Sequence, residues 1–207
     1  MTNPQTGFWN IVQPVTLTGT IVRLEPLSET HAPALASAGA YEEIWRHMVY
    51  GTILNQAQML ELIKTLLERQ AQGSDLPFAV IHLDTGKAIG STRYLEINPE
   101  HRNLEIGGTW YTPVFQRTAV NTECKYLLLK HAFEYYGCLR VQFKTDLRNV
   151  RSQRALERIG AIKEGVIRKH LILPDGFVRD SVYYSILDNE WPEVKVDLEK
   201  KLRNRGE

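Results

Sequence analysis

The sequence predicts an α/β (α+β) fold: a single mixed, mostly antiparallel twisted sheet with helices on both faces. Three observations predict it. Stretches of alternating apolar residues and stretches of helical periodicity follow one another in the order β-α-α-β-β-β-α-β-α-β-β-α. Two short turns, Asp84-Thr85-Gly86-Lys87 and Pro174-Asp175-Gly176, join strands directly and so imply antiparallel hairpins. Residues 110–161 read as a strand, a loop, a long helix, a second strand and a shorter helix. The 207 residues suit one sizeable domain, residues 15–207, behind a polar tail at 1–14 that Phe8 and Trp9 could pin to the body.

The elements follow in order. Residues 20–27 alternate and read as a strand, and Ser28 then starts a helix that Gly39 ends. Residues 41–50 form a short, aromatic-rich helical piece. Residues 55–72 are an amphipathic helix with Met59, Leu60, Ile63, Leu66 and Leu67 on one face, stopped by Gly73-Ser74-Asp75. Strands follow at 78–83, 88–97 and 104–111, the last interrupted by Gly107-Gly108, which suggests a bulge or a close backbone approach. A helix over 118–136 ends near Gly137, and a short buried strand covers 141–145. Residues 149–159 form a helix with Gly160 as its stop. A hairpin of 162–173 and 177–187 leads to a final basic, amphipathic helix at 191–202.

Composition narrows the functional classes. The chain is 43% hydrophobic and 24% charged, ordinary for a soluble globular protein. A net charge of +1 offers no long-range steering toward nucleic acid, and no groove-reading motif is present. No apolar run approaches the roughly 18 residues that span a bilayer, and the N-terminus lacks the basic and apolar regions of a signal peptide. Cys124 and Cys138 fall near the two ends of one expected helix, roughly 20 Å apart at 1.5 Å per residue, beyond disulfide reach. They read as reduced thiols of a cytoplasmic protein. The histidines show no metal-ligand spacing.

Two segments carry the chemistry. In Phe115-Gln-Arg-Thr-Ala-Val-Asn121 a loop opens onto a helix, whose first backbone N–H groups can bind phosphate. The plainer reading is an N-cap at Thr118. In Asn149-Val-Arg-Ser152 the Asn and Ser stand three apart, on one side of a first helical turn. Here too capping is the plainer reading. Two helix starts near one sheet edge form a site for an anionic, phosphate-bearing ligand. Arg117, Lys125, Arg148, Arg151 and Arg154 surround these starts, and for most of them a solvated helix face is expected.

The helix 120–133, Val-Asn-Thr-Glu-Cys-Lys-Tyr-Leu-Leu-Leu-Lys-His-Ala-Phe, and above all Asn149-x-x-Ser152-x-Arg154-Ala-Leu-Glu-Arg-x-Gly160-Ala161 carry a resemblance. They resemble the GNAT N-acetyltransferases, most closely the ribosomal-protein (RimJ/RimL-like) branch. Residues 175–186 and 190–195 look like the same branch, so the likeness runs from about residue 17 to 202. It implies the GNAT fold, in which strand 104–111 splays from a parallel neighbour at 141–145, and acetyl-CoA as donor to a primary amine. Acetyl-CoA would lie against Thr109, Trp110, Tyr111, Gln116, Arg117, Thr118, Ala119, Val120, Asn121, Thr122, Asn149 and Ser152. The family's phosphate loop has Gln or Arg, two variable residues, Gly, one variable residue, then Gly or Ala; Gln116 matches, but Ala119 and Asn121 depart. Alanine is strained wherever the glycine takes a positive φ.

The resemblance further implies Ser152 as the acid that protonates the departing thiolate, Asn149 as an amide donor to pantetheine, and a backbone N–H near Thr109 or Trp110 for the oxyanion. Glu105 is the candidate general base, or else a carboxylate paired with a nearby Arg. Trp45, His47, His170 and Tyr183 would wall the acceptor groove, with a structural role as the default for His170. The acceptor would be a protein N-terminus or small amine, attacking directly in a ternary complex. Neither metal, nucleic acid nor membrane is expected, and a homodimer is left open. The departures at Ala119 and Asn121 leave room for a non-catalytic acyl-CoA sensor or an interaction module on the same fold.

Overall fold

The computed structural model describes residues 13–204. The expected pinning of the tail by Phe8 and Trp9 lies outside the described residues. Eight strands form one sheet in the order β1-β2-β3-β4-β5-β6-β8-β7, namely β1 (Leu17–Thr18), β2 (Val22–Pro26), β3 (Leu76–His82), β4 (Lys87–Asn98), β5 (Asn103–Tyr111), β6 (Arg140–Asp146), β7 (Ile162–Ile172) and β8 (Val178–Leu187). Every neighbouring pair is antiparallel except β5 and β6.

That parallel pair shapes the molecule. It is registered only at Asn103↔Arg140, Leu104↔Val141 and Glu105↔Gln142. Beyond Glu105 each strand continues beside its other neighbour, β5 beside β4 and β6 beside β8, so the sheet opens between them. On β5 a bulge accompanies the opening: Ser91 faces Trp110 and Arg93 faces Gly107, which leaves Gly108 and Thr109 opposite the single residue Thr92. Gly108 has φ +57, and a Cβ there would lie 2.8 Å from the Tyr50 hydroxyl. Glycine is favoured there, since a β-carbon would be strained at that φ and the Tyr50 hydroxyl would have to shift.

Helices α1 (Ala32–Gly39), α2 (Glu42–Trp45) and α3 (Gln56–Ala71) cover one face; their buried Leu35, Trp45, Met59 and Ile63 pack with Ala79, Ile81 and Trp110 of the sheet. Helices α4 (Ala119–Lys130), α5 (Val150–Arg158) and α6 (Trp191–Arg203) belong to the other core, where Cys124, Leu128, Leu156 and Leu198 meet Phe78, Tyr94, Phe143 and Tyr184. Alternation along the strands supplies both cores at once, which is why β3 and the first part of β4 are buried on both sides.

The structure departs from the expected boundaries for local reasons. The strand expected from residue 20 begins at Val22, because the N–H groups of Thr20, Ile21 and Val22 all turn to the Glu123 carboxylate on α4. The helical piece expected over 41–50 is reduced to Glu42–Trp45. The helix expected over 118–136 is α-helical only to Lys130, and His131–Tyr135 widens to a π-turn. The Tyr94 hydroxyl donates to Leu128 O at 2.6 Å just before it, the kind of intrusion that loosens the ladder. α5 ends as expected, with Gly160 at φ +89 and Ala161 N–H returning to Leu156 O.

Candidate active site

The opening between β5 and β6 is met from one side by the starts of α4 and α5. Thr118 is the N-cap of α4: its hydroxyl accepts from Val120 N at 3.3 Å and donates to Phe115 O at 2.7 Å. The residue with a positive φ is Arg117 (+61), not Ala119. Ala119 and Asn121 lie in the first turn of α4 with helical backbone, so their departure from glycine carries no backbone strain. Asn121 accepts from the Tyr111 hydroxyl at 3.4 Å, and the buried Thr122 faces inward.

Asn149 caps α5 as the plainer reading expected. Its Oδ1 accepts from Ser152 N at 3.0 Å, so the amide N–H donors stay outside the cap. The Ser152 side chain is half-buried in that turn. Gln116 binds the two helix starts together: its amide N–H donates to Tyr111 O at 3.0 Å and its Oε1 accepts from Arg151 at 2.6 Å. Among the basic residues grouped around the helix starts, one needs correction: Lys125 is buried rather than solvated. Arg148 is exposed, pairs with Asp146 at 2.7 Å and stacks on the Phe177 ring. Arg117, Arg151 and Arg154 remain exposed beside the helix starts.

On β5, Thr109 sits at the bulge, where its hydroxyl meets Thr92 Oγ1 at 2.8 Å and Lys125 Nζ at 2.7 Å. The side chains of Trp110 and Tyr111 enter opposite cores, so only their backbone faces the opening.

A second cluster lies on the α1–α3 face of the sheet. Glu105 is 2% exposed; its Oε2 accepts from Gln142 at 3.2 Å and lies 3.3 Å from Lys144 Nζ. The expected pairing partner was an Arg, and the structure supplies Lys144 instead. Burial raises the Glu105 pKa above the ordinary carboxylate value, with Lys144 working in the other direction. Lys144 also meets Glu96 at 3.0 Å and lies over the Tyr183 ring. The Tyr183 hydroxyl is 3.5 Å from His170 Nε2, and His170 Nδ1 is 3.0 Å from Ser181 Oγ. Desolvation, then Lys144 and Arg179, lower the His170 pKa, so the ring is neutral at pH 7. His47 Nδ1 lies 3.6 Å from the buried Asp146 carboxylate, yet its pKa too is lowered, burial outweighing the Asp146 attraction.

Trp45 is not a groove wall. It is 2% exposed, packs on Trp110 with ring centroids 5.1 Å apart, and donates its indole N–H to Gly39 O. Sequence reasoning passed over Glu96, Lys144, Asp146 and Arg179, which supply most of the charge in this cluster, and Gln142, whose amide donates to Glu96 and Glu105. The polar residues at 142, 144 and 146, alternating with Val141, Phe143 and Thr145, were the available signal. No cluster of potential metal ligands occurs among the described residues. Nor is any described helix long and apolar enough to cross a membrane.

A mixed sheet opened between parallel strands, with two helix N-termini at the opening, defines an N-acetyltransferase frame. The model of the Acetyltransferase (GNAT) domain matches residues 22–162, and the chain belongs to this family. The chain is 32% identical over 110 residues to the "Putative ribosomal N-acetyltransferase YdaF" of Bacillus subtilis (strain 168), a stretch covering 53% of this chain and 59% of that relative. Among solved structures, a GCN5-related N-acetyltransferase from Brucella melitensis is 28% identical with a TM-score of 0.86, covering 91% of this chain and 85% of the other. A structure from T. thermophilus, described as that of a putative acetyltransferase, is 40% identical with a TM-score of 0.83, covering 93% and 99%.

Proposed function

We propose that this chain moves the acetyl group of acetyl-CoA to a primary amine, a protein N-terminus or a small amine, by direct attack in a ternary complex. The observation that carries the reading is the joined pair of helix starts at the open end of the β5–β6 split, held by Gln116 between Tyr111 and Arg151. Successive N–H groups at the start of α4, with Arg117 beside them, suit a pyrophosphate. The unpaired edge of β5 from Ile106 to Tyr111 suits the amide-bearing pantetheine arm, with the free N–H donors of Asn149 at its other side. A backbone N–H near Thr109 or Trp110 receives the oxyanion.

The amine nitrogen bonds the thioester carbon, the carbon–sulfur bond breaks, and the proton lost by the amine passes to Glu105. Burial makes the Glu105 carboxylate a stronger base than an exposed one. Ser152 hands a proton to the leaving thiolate and, being half-exposed, regains one from water. His47, His170 and Tyr183 border the acceptor, the two histidines neutral and so able to accept a hydrogen bond from an amine.

Helical backbone at Ala119 and Asn121 removes the backbone-strain objection to acyl-CoA binding, which a transferase and a sensor share; with Glu105 as the base, turnover on an amine is what separates the two. The test is isothermal titration with acetyl-CoA, then a thiol-release screen over amines and short peptides on the same sample. Binding with thiol release on an amine is the expected result. Binding without release on any acceptor would return the sensor reading, and no binding would remove the phosphate-site assignment.

A further inference from the structure

Lys125 is the outlier among the buried cations of the described residues. Its side chain is in the core, at 4% residue exposure. The other buried cations have carboxylates near them: Arg93 has Asp75 at 3.1 Å, and Arg179 has Asp146 and Glu105 acting on its charge. Around Lys125, α4 offers the Cys124 thiol, whose pKa is pushed up to about 12 so that it stays neutral, and Glu123, which turns to the β1–β2 bend. The strands offer Thr92 on β4, Thr109 on β5 and the ring of Phe143 on β6. Tyr111 on β5 is neutral as well, its pKa raised well above the ordinary value by burial. An ammonium buried without a counter-ion is costly to the fold, and such groups recur where chemistry uses them.

Its location supplies the use. Nζ donates to Thr109 Oγ1 at 2.7 Å, on the bulge of one arm of the split. It lies 5.9 Å from the Phe143 ring centroid, on the other arm and one residue past the last paired position, Gln142. Lys125 therefore bridges the two strands from beneath, just where they part. We infer that Lys125 is a positioning residue for acetyl transfer, tying Thr109 and the β5 bulge to α4 and setting a fixed positive charge under the place where the thioester carbonyl gains negative charge. The inference rests on the transferase reading above. A preset charge in a water-poor site strengthens as negative charge develops, so it acts on the transition state more than on substrate binding.

The test compares wild type, Lys125→Met and Thr109→Val on the same amine, reading kcat, acetyl-CoA affinity by titration, and the pH profile. Met keeps the volume and removes the buried charge, so folding is retained, and near-UV circular dichroism verifies it. Lys125→Met should lower kcat about tenfold or more while acetyl-CoA affinity stays within about threefold. Thr109→Val should lower kcat in the same direction.

The pH profile is read in wild type and in Lys125→Met. Burial brings the Lys125 pKa down to about 8, so its charge is present below that pH and lost above it. Wild-type kcat should therefore fall on the alkaline side, and that limb should vanish in Lys125→Met. A kcat within about twofold of wild type, a loss residing wholly in acetyl-CoA affinity, or an alkaline limb that persists in Lys125→Met would each overturn the inference. A wild type that turns over no amine would instead remove the transferase reading and this inference with it.

Discussion

Glu123→Gln isolates one carboxylate that joins α4 to the strand beneath it. Glu123 Oε1 accepts from Thr20 N at 2.9 Å and Thr20 Oγ1 at 2.8 Å; Oε2 accepts from Ile21 N at 2.7 Å and Val22 N at 2.8 Å. Gln keeps the shape but turns one oxygen into an N–H₂ that faces donors. Two hydrogen bonds to a charged group are lost, and such bonds contribute about 1.5–3 kcal/mol each. The expected loss is therefore about 3–6 kcal/mol, a large share of the ~5–15 kcal/mol that holds a domain folded. At about 2–4 °C per kcal/mol for a chain of this size, the melting temperature should drop roughly 6–24 °C.

The assay is urea unfolding of both proteins at pH 7, supported by thermal melts. The Glu123 pKa is held below its ordinary value by these hydrogen bonds despite the opposing desolvation. A lowered folded-state pKa means stability present above the unfolded value, near 4.5, and lost as pH falls through the folded one. The gap between wild type and Glu123→Gln should thus narrow below about pH 4. A loss under about 1 kcal/mol at pH 7, or a gap that does not narrow in acid, would show that water replaces these bonds at no cost and refute the reasoning.

Three further outcomes bear on the site. Thr118→Asp sets a carboxylate at the start of α4 and should weaken acetyl-CoA binding at least about thirtyfold by repelling the pyrophosphate, roughly 2 kcal/mol, whereas unchanged affinity by titration would move the phosphate site elsewhere. Ser152→Ala should lower kcat about 10–100-fold with acetyl-CoA affinity nearly unchanged, and equal losses in both would sink its role as acid. Gly108→Ala forces a β-carbon into a left-handed position at a cost of about 1–2 kcal/mol and toward the Tyr50 hydroxyl. Turnover should fall further than acetyl-CoA affinity; an unperturbed kcat would separate the bulge from the reaction.

Much of the fold follows from local pattern. The 3.6-residue period at Met59, Ile63 and Leu66, the hairpin turns at 84–87 and 174–176, and the caps at Thr118 and Asn149 are encoded within a few residues of where they act. Their places in the structure match because helix starts, stops and tight turns depend on neighbouring backbone groups. The same locality made the loop before α4 legible at Gln116 as a candidate phosphate loop and left the effect of Ala119 open: helical dihedrals at that position become visible only once Arg117 takes the positive φ.

What the tertiary structure decided comes from partners far apart in the chain. Trp45 reads as a wall of the acceptor groove until Trp110 closes over it, and Lys125 reads as one more solvated lysine on an amphipathic helix. Only the opening of β5 from β6 sets Lys125 beneath Thr109, and only the pairing of β6 with β5 and β8 gives Glu105 its partner in Lys144. Composition and periodicity decide which residues leave water. Which buried charge meets which acceptor is set by strand order and register, properties of the folded chain that no single segment contains.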